Sequence, residues 1–168
     1  MVVDYRKVIS KISFNSYPMP SLGQAFEKFS GAVIVSIFDL NSAYFQIPLT
    51  PSSHRVTAFC TPFCFFEFNN FPMGISVGSH GLIRVVDELF ADVKGVFVFN
   101  YLDDLVVYSR SVEEHAQHVR TVLRRLRDAG FTLNFTKMTI GSREVTYLGH
   151  CLSSRGISVL PTNLRTLG

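Results

Sequence analysis

Two adjacent carboxylates, Asp103 and Asp104, stand between two apolar runs, Val96-Phe97-Val98-Phe99 and Leu105-Val106-Val107-Tyr108. Neighbouring carboxylates repel, and burying them uncompensated costs several kcal/mol. A turn with no other duty would be Asn-Gly or Asp-Gly. The usual relief for such repulsion is a hard divalent cation held by oxygen ligands. Asp39 offers a third carboxylate at the end of the β-branched run Val33-Ile34-Val35-Ser36-Ile37-Phe38. If that run is a strand beside the hairpin, the three acids reach one spot. They could then hold two Mg²⁺ ions about 3.5–4 Å apart, activating one oxygen and stabilising a departing one. Phosphoryl transfer is the chemistry such a site serves. The same residues also read as a solvated acidic turn plus an unrelated strand-end Asp, and spacing alone leaves both readings open.

The elements that must position these acids follow from the pattern around them. Val33–Phe38 is predicted to be a buried strand, and the runs flanking Tyr101-Leu102-Asp103-Asp104 its hairpin neighbours. Ser21 reads as the cap of a short helix over Leu22–Phe29, ended by Gly31. Thr57–Phe68 reads as extended and densely aromatic, and a helix is expected over Ser79–Phe90. Ser111-Val112-Glu113-Glu114 is a capping box. It opens a helix whose stripe is Val112, Ala116, Val119, Leu123 and Leu126, with Gly130 as its stop. Arg120, Arg124 and Arg127 fall on the opposite face, with Arg125 at its edge. Phe131–Phe135 and Val145–Leu148 complete the set as strands. The order β-α-β-β-α-β predicts an α+β sheet with helices on one face.

The chain has 168 residues, 47% hydrophobic and only 17% charged, with 16 Phe and no Trp. That length suits one domain with a substantial core and excludes a disordered chain. So few charges imply that part of the apolar surface is meant to be covered. Poor solubility in isolation follows. The net charge of +3 is unevenly spread. From Arg110 onward nine bases meet four acids, giving +5, and the preceding residues sum to −2. Cys60, Cys64 and Cys151 form no disulfide framework and point to a reducing compartment. A zinc site from Cys60, Cys64, His150 and Cys151 can be drawn, but buried structural thiols suit the Phe-rich surroundings better. The start is charged too early for a signal peptide, and no run approaches the ~20 apolar residues of a membrane span.

Tyr101-Leu102-Asp103-Asp104, between Phe-Val-Phe-Asn and Leu-Val-Val-Tyr-Ser, resembles the catalytic hairpin of reverse transcriptases. Asp39-Leu40-Asn41-Ser42-Ala43-Tyr44-Phe45-Gln46-Ile47 resembles that family's first catalytic strand in its gypsy-type (Ty3-like) retrotransposon form. Asp4-Tyr5-Arg6-Lys7, Tyr17-Pro18-Met19-Pro20, Thr57-Ala58-Phe59, Phe71-Pro72-Met73-Gly74, Gly130-Phe131-Thr132-Leu133-Asn134 with Lys137, and Tyr147-Leu148-Gly149-His150 follow in family order. The resemblance implies a polymerase palm, an antiparallel ferredoxin-like sheet with helices packed on one face, plus partial fingers, over residues 1–168 as one domain. It implies RNA-directed DNA polymerisation onto a primer 3′-OH, with Asp39, Asp103, Asp104 and the Leu40 carbonyl holding two Mg²⁺ (or Mn²⁺). Tyr44 would lie under the sugar and exclude a 2′-OH. Met73, Gly74 and Lys137 would meet the incoming nucleotide, and Tyr101, Leu148, Gly149 and His150 the primer and template.

Implied partners are an RNA or DNA template with primer, deoxynucleoside triphosphates, and the N-terminal fingers strands, thumb and RNase H of a longer Pol polyprotein. No membrane is implied. The setting would be intracellular: cytoplasm, virus-like particle or nucleus. After Gly74 the family generally continues Leu-Thr-Asn-Ala-Pro-Ala-x-Phe, whereas this chain reads Ile75-Ser76-Val77-Gly78-Ser79-His80-Gly81-Leu82. Gly78 and Gly81 would each weaken a helix start by roughly 1 kcal/mol. Two other readings remain: an inactive retroelement-derived domain binding nucleic acid or protein through its basic third, and a two-metal nuclease on the same acids.

Overall fold

A computed structural model describes residues 3–12, 17–18, 23, 29, 31–75, 77–153 and 156–159. Its strands, in chain order, are β1 (Ile34–Asp39), β2 (Phe59–Cys60), β3 (Phe65–Phe66), β4 (Val98–Tyr101), β5 (Asp104–Ser109), β6 (Thr139–Ser142), β7 (Glu144–Tyr147), β8 (His150–Ser153) and β9 (Gly156–Val159). Two long helices, α1 (Val77–Leu89) and α2 (Val112–Asp128), lie between them, and short helical turns cover Arg6–Ile9, Ala43–Gln46 and Pro51–His54. The expected helix over Leu22–Phe29 lies outside the described residues except for Gly23 and Phe29.

The central sheet runs β4-β5-β1-β6, antiparallel throughout. With α1 between β1 and β4 and α2 between β5 and β6, this is the ferredoxin-like β-α-β-β-α-β expected from the sequence. Successive residues of a strand point to opposite faces, so β5 serves two cores. Leu105 and Val107 meet Leu82, Val86, Phe90, Val122 and Leu126 on the helix face. Val106 and Tyr108 meet Val145, Tyr147 and Leu152 of the second sheet, β7-β8-β9, on the other. A strand buried on both faces reads as a continuous apolar run, which is why β5 was legible.

Several local expectations change. α2 is capped by Ser111, whose Oγ accepts from the Glu114 N–H at 3.2 Å. Its inward stripe, however, is His115, Val119, Val122 and Leu126, while Val112 is 56% exposed and Leu123 also faces outward. The helix is turned toward the sheet by His115, whose ring joins Ser36 Oγ (2.7 Å) on β1 to Ser109 Oγ (2.9 Å) on β5. Burial holds His115 below the usual imidazole pKa, with a smaller push from His118. Arg125 faces Asp92 in a two-pronged pair at 2.5 and 2.7 Å, and Arg120, Arg124 and Arg127 are exposed.

Phe131–Phe135 is not a strand. It makes one bridge, Leu133 to Leu40, before Asn134 Oδ1 accepts from the Thr136 N–H and hydroxyl and closes a turn. The fourth strand of the central sheet is instead Thr139–Ser142, hidden in the sequence by Gly141 at φ +65°. Cys60 and Cys64 are exposed and Cys151 is half-buried, against the expectation of buried thiols. Cys151 lies on β8, and Cys60 and Cys64 belong to the short β2–β3 hairpin, which joins no other sheet among the described residues. Phe63 and Phe65 are bare beside them at 91% and 87% exposure, the uncovered apolar surface that the low charge implied.

Candidate active site

The β1–β5 register places Asp39 directly opposite Asp104. Asp39 shares its face with Val35 and Ile37, and Asp104 with Val106 and Tyr108, so both carboxylates leave the sheet on the side of β7–β9. The Leu40 N–H donates to the Asp103 carbonyl at 3.2 Å, tying the end of β1 to the hairpin turn. In that turn Leu102 has φ +57°, a left-handed conformation that costs a branched residue of order 1–3 kcal/mol and collects at functional sites. The turn sets Asp103 beside Asp104, the first residue of β5.

Charge confirms the grouping. Asp104 is pushed up to about 6, first by burial and then by the charges of Asp103 and Asp39, with Lys137 acting the other way. Lys137 Nζ stands 3.5 Å from Asp39 Oδ2. It is carried there by the 131–137 segment, which lengthens the edge of β1: the Asn41 N–H donates to Thr132 O (3.0 Å) and the Asn134 N–H to Asp39 O (2.9 Å). Among the described residues no group of three His, Cys, Asp or Glu side chains is placed to hold a metal ion as it stands, and the three acids are adjacent but unclosed. Their chemistry still fits a hard cation: half-buried oxygen donors whose mutual repulsion raises one of them, with a single ammonium as counter-charge.

Other expected site residues gather around them. Tyr44 lies in the Ala43–Gln46 turn, and its hydroxyl is held above the usual pKa by burial and by the Asp103 charge. The start of α1 presses on this ring. A Cβ on Gly78 would lie 3.3 Å from Tyr44 Cδ1 and 2.8 Å from Phe71 Cδ1. Gly78 therefore permits a close approach rather than merely weakening the helix. Met73 and Gly74 form the exposed turn before α1, with Gly74 at φ +96°. Tyr101 pairs with Asp104 across the hairpin. Leu148 and Gly149 form the β7–β8 turn at φ +48° and +77°, and His150 Nδ1 contacts Leu148 O.

Sequence reasoning missed two side chains. Tyr147, the last residue of β7, is 4% exposed, and its hydroxyl has no hydrogen-bond partner. Burial raises its pKa, helped by Asp104 first among the nearby charges. Gln46 was quoted only as part of a motif, yet its amide makes four hydrogen bonds. The available signal was a lone amide inside the apolar run Ala43-Tyr44-Phe45-Gln46-Ile47.

Residues 1–152 match the family described as Reverse transcriptase (RNA-dependent DNA polymerase). The chain belongs to the reverse transcriptase family. Among its relatives, the Tf2-7 and Tf2-3 transposon polyproteins of Schizosaccharomyces pombe are 30% identical over 164 residues, 98% of this chain and 12% of theirs. The chain thus spans about an eighth of the length of these relatives. Its fold is that of a foamy viral protease-reverse transcriptase in complex with RNA/DNA hybrid, at TM-score 0.86 and 23% identity, over 99% of this chain and 22% of that one. A second such structure, in complex with double-stranded DNA, gives TM-score 0.88 and 24% identity, covering 99% and 29%. This reverse transcriptase domain is the α+β polymerase palm type that the sequence implied. Among the described residues no helix is long and apolar enough to cross a membrane.

Proposed function

We propose that this reverse transcriptase domain, the palm with part of the fingers of a longer polyprotein, adds deoxynucleotides to a primer 3′-OH on an RNA or DNA template. The observation that carries the reading is the Asp39–Asp104 cross-strand pair with Asp103 held beside it in a strained turn. Asp39, Asp103, Asp104 and the Leu40 carbonyl would hold two Mg²⁺, for which Mn²⁺ could substitute. Metal bound there supplies charge that lowers the pKa of the 3′-OH and offsets the developing charge on pyrophosphate.

The chain's own groups bind and orient. Asp104, raised to about 6, is ionised at pH 8 and can ligate. Lys137 presents an ammonium at the edge of the acids, where a triphosphate would lie. It would exchange Asp39 for phosphate as a point charge or proton donor. The Tyr44 ring, seated on Gly78, forms a flat floor that leaves no room for a ribose 2′-OH. Met73 and Gly74, in the turn before α1, would meet the incoming nucleotide. Tyr101, Leu148, Gly149 and His150 would meet the primer and template. Such work belongs inside the cell, where template and triphosphates are.

Exposed Arg120, Arg124 and Arg127 on α2 favour a second reading, a non-catalytic domain that binds nucleic acid or protein. Primer extension with Mg²⁺ separates the two. Extension by the wild-type chain that Asp103→Asn abolishes supports the polymerase. Binding without extension, equal in wild type and Asp103→Asn, supports the second reading. Degradation of the primer without added nucleotides would instead indicate a nuclease.

A further inference from the structure

The Gln46 amide behaves as a piece of β-backbone. Its Oε1 accepts from the Thr132 N–H at 2.6 Å and from the Thr132 hydroxyl at 3.2 Å. Its Nε2 donates to Asn41 O at 2.5 Å and to Thr132 O at 3.1 Å. One side chain thus satisfies both the donor and the acceptor of Thr132, as a paired strand residue would. Groups of the candidate site lie a few residues along the chain from both. Gln46 follows Tyr44 in the same helical turn, and Thr132 leads through Leu133 and Asn134 to the turn that carries Lys137 to Asp39.

The geometry points to Gln46 as a positioning residue that sets the distance between the two walls of the nucleotide pocket, the Tyr44 floor and the Lys137 ammonium. The inference rests on the polymerase reading above. Lys137 itself is exposed on a turn closed locally by Asn134, whose side chain accepts from Thr136 and whose carbonyl accepts from the Lys137 N–H. The turn is fixed to the body of the fold through the Asn41, Asp39 and Leu40 ladder and through Gln46. Of these, Gln46 is the one side-chain link that also reaches the Tyr44 turn. Gln46 touches neither acid nor reacting atoms, so its loss acts through Lys137 and Tyr44.

The test is steady-state single-nucleotide incorporation by wild type, Gln46→Ala, Gln46→Glu, Lys137→Ala and the Gln46→Ala/Lys137→Ala double variant, each checked by thermal melting. Gln46→Ala is expected to raise KM for the deoxynucleotide about tenfold with kcat within about twofold, since misplacing a binding group by up to an ångström costs as much as a hundredfold. Gln46→Glu keeps the acceptor for Thr132 but sets a carboxylate oxygen against the Asn41 and Thr132 carbonyls, so it is expected to raise KM at least as much as Gln46→Ala, and it stands in should Gln46→Ala fail to fold. In the Lys137→Ala background, Gln46→Ala is expected to add less than about twofold, because coupled residues are non-additive. A fully additive effect, a fall in kcat at unchanged KM, or a lower melting temperature with unchanged KM would overturn the inference. A wild-type chain that incorporates nothing would instead overturn the polymerase reading on which it rests.

Discussion

Replacing Asp104 by Asn should make the fold more stable while destroying the activity proposed for it. In the folded chain Asp104 is pushed from 3.8 to about 6 by burial and by the charges of Asp103 and Asp39. Ionising it in the folded state at pH 7.5 therefore costs more than ionising it in the unfolded chain. At about 1.4 kcal/mol per pH unit, the rise corresponds to about 3 kcal/mol. Because the carboxylate is only half-buried and salt screens it, about 1–2 kcal/mol is expected in practice. Asn keeps the shape and removes the charge, so Asp104→Asn should gain that amount, or about 3–6 °C in Tm for a chain of this size. The sign with pH follows. A folded pKa above the unfolded one adds stability below the unfolded value and loses it as pH rises through the folded one. The advantage of Asp104→Asn should be full above pH 6 and vanish below pH 4. Urea unfolding of both chains at pH 4, 5, 6 and 7.5 without divalent ions measures it. Mg²⁺ at millimolar concentration should narrow the gap at pH 7.5 by stabilising only the wild type. An Asn chain less stable than wild type at pH 7.5, or a difference independent of pH, would refute the account of Asp104 raised by burial and by the crowding of Asp103 and Asp39.

Tyr147→Phe should raise stability by about 1 kcal/mol, since the hydroxyl is buried without a partner; a loss of that size in urea unfolding would mean the hydroxyl is bonded. Gly78→Ala should cost about 1–2 kcal/mol despite the better helix propensity, because the new methyl must displace the Phe71 and Tyr44 rings. It should also change the ratio of deoxynucleotide to ribonucleotide incorporation, and an unchanged ratio would separate the Tyr44 ring from sugar selection. His115 is held neutral by burial and then by His118, and the unfolded chain takes up its proton below about pH 6.5, so His115 should cost the wild type stability as pH falls from there. His115→Gln should flatten that loss relative to wild type between pH 7 and 5, and parallel curves would show that another group carries it.

Where burial was two-sided or a cap was local, the sequence was enough to place the element. β1, β5 and the Ser111 cap are such cases, and with them came Asp39, Asp103 and Asp104, whose facing positions needed only that two strands be neighbours. What could not be read depended on groups far apart in the chain. The inward face of α2 is set by His115 reaching Ser36 across 79 residues, and the stripe chosen from apolar spacing alone missed it. The exposure of Cys60 and Cys64 reflects how little β2–β3 packs on the other described strands, which no residue of that hairpin announces. Gln46 and Tyr147 matter through one partner bonded and one partner lacking. Neither condition has a local signature. Gly78 looked like a defect because its benefit, room for two rings, belongs to Tyr44 and Phe71.

The position of β1 also bears on how the domain is made. It lies between β5 and β6, and both partners come later in the chain. During synthesis at about 5–20 residues per second, Ile34–Asp39 waits several seconds before its first neighbour exists. Throughout that interval an apolar strand meant for burial on both faces has two open edges. The acids cannot face one another until β5 has been made and has paired with β1, and the wait is when a nascent chain is most exposed to wrong partners.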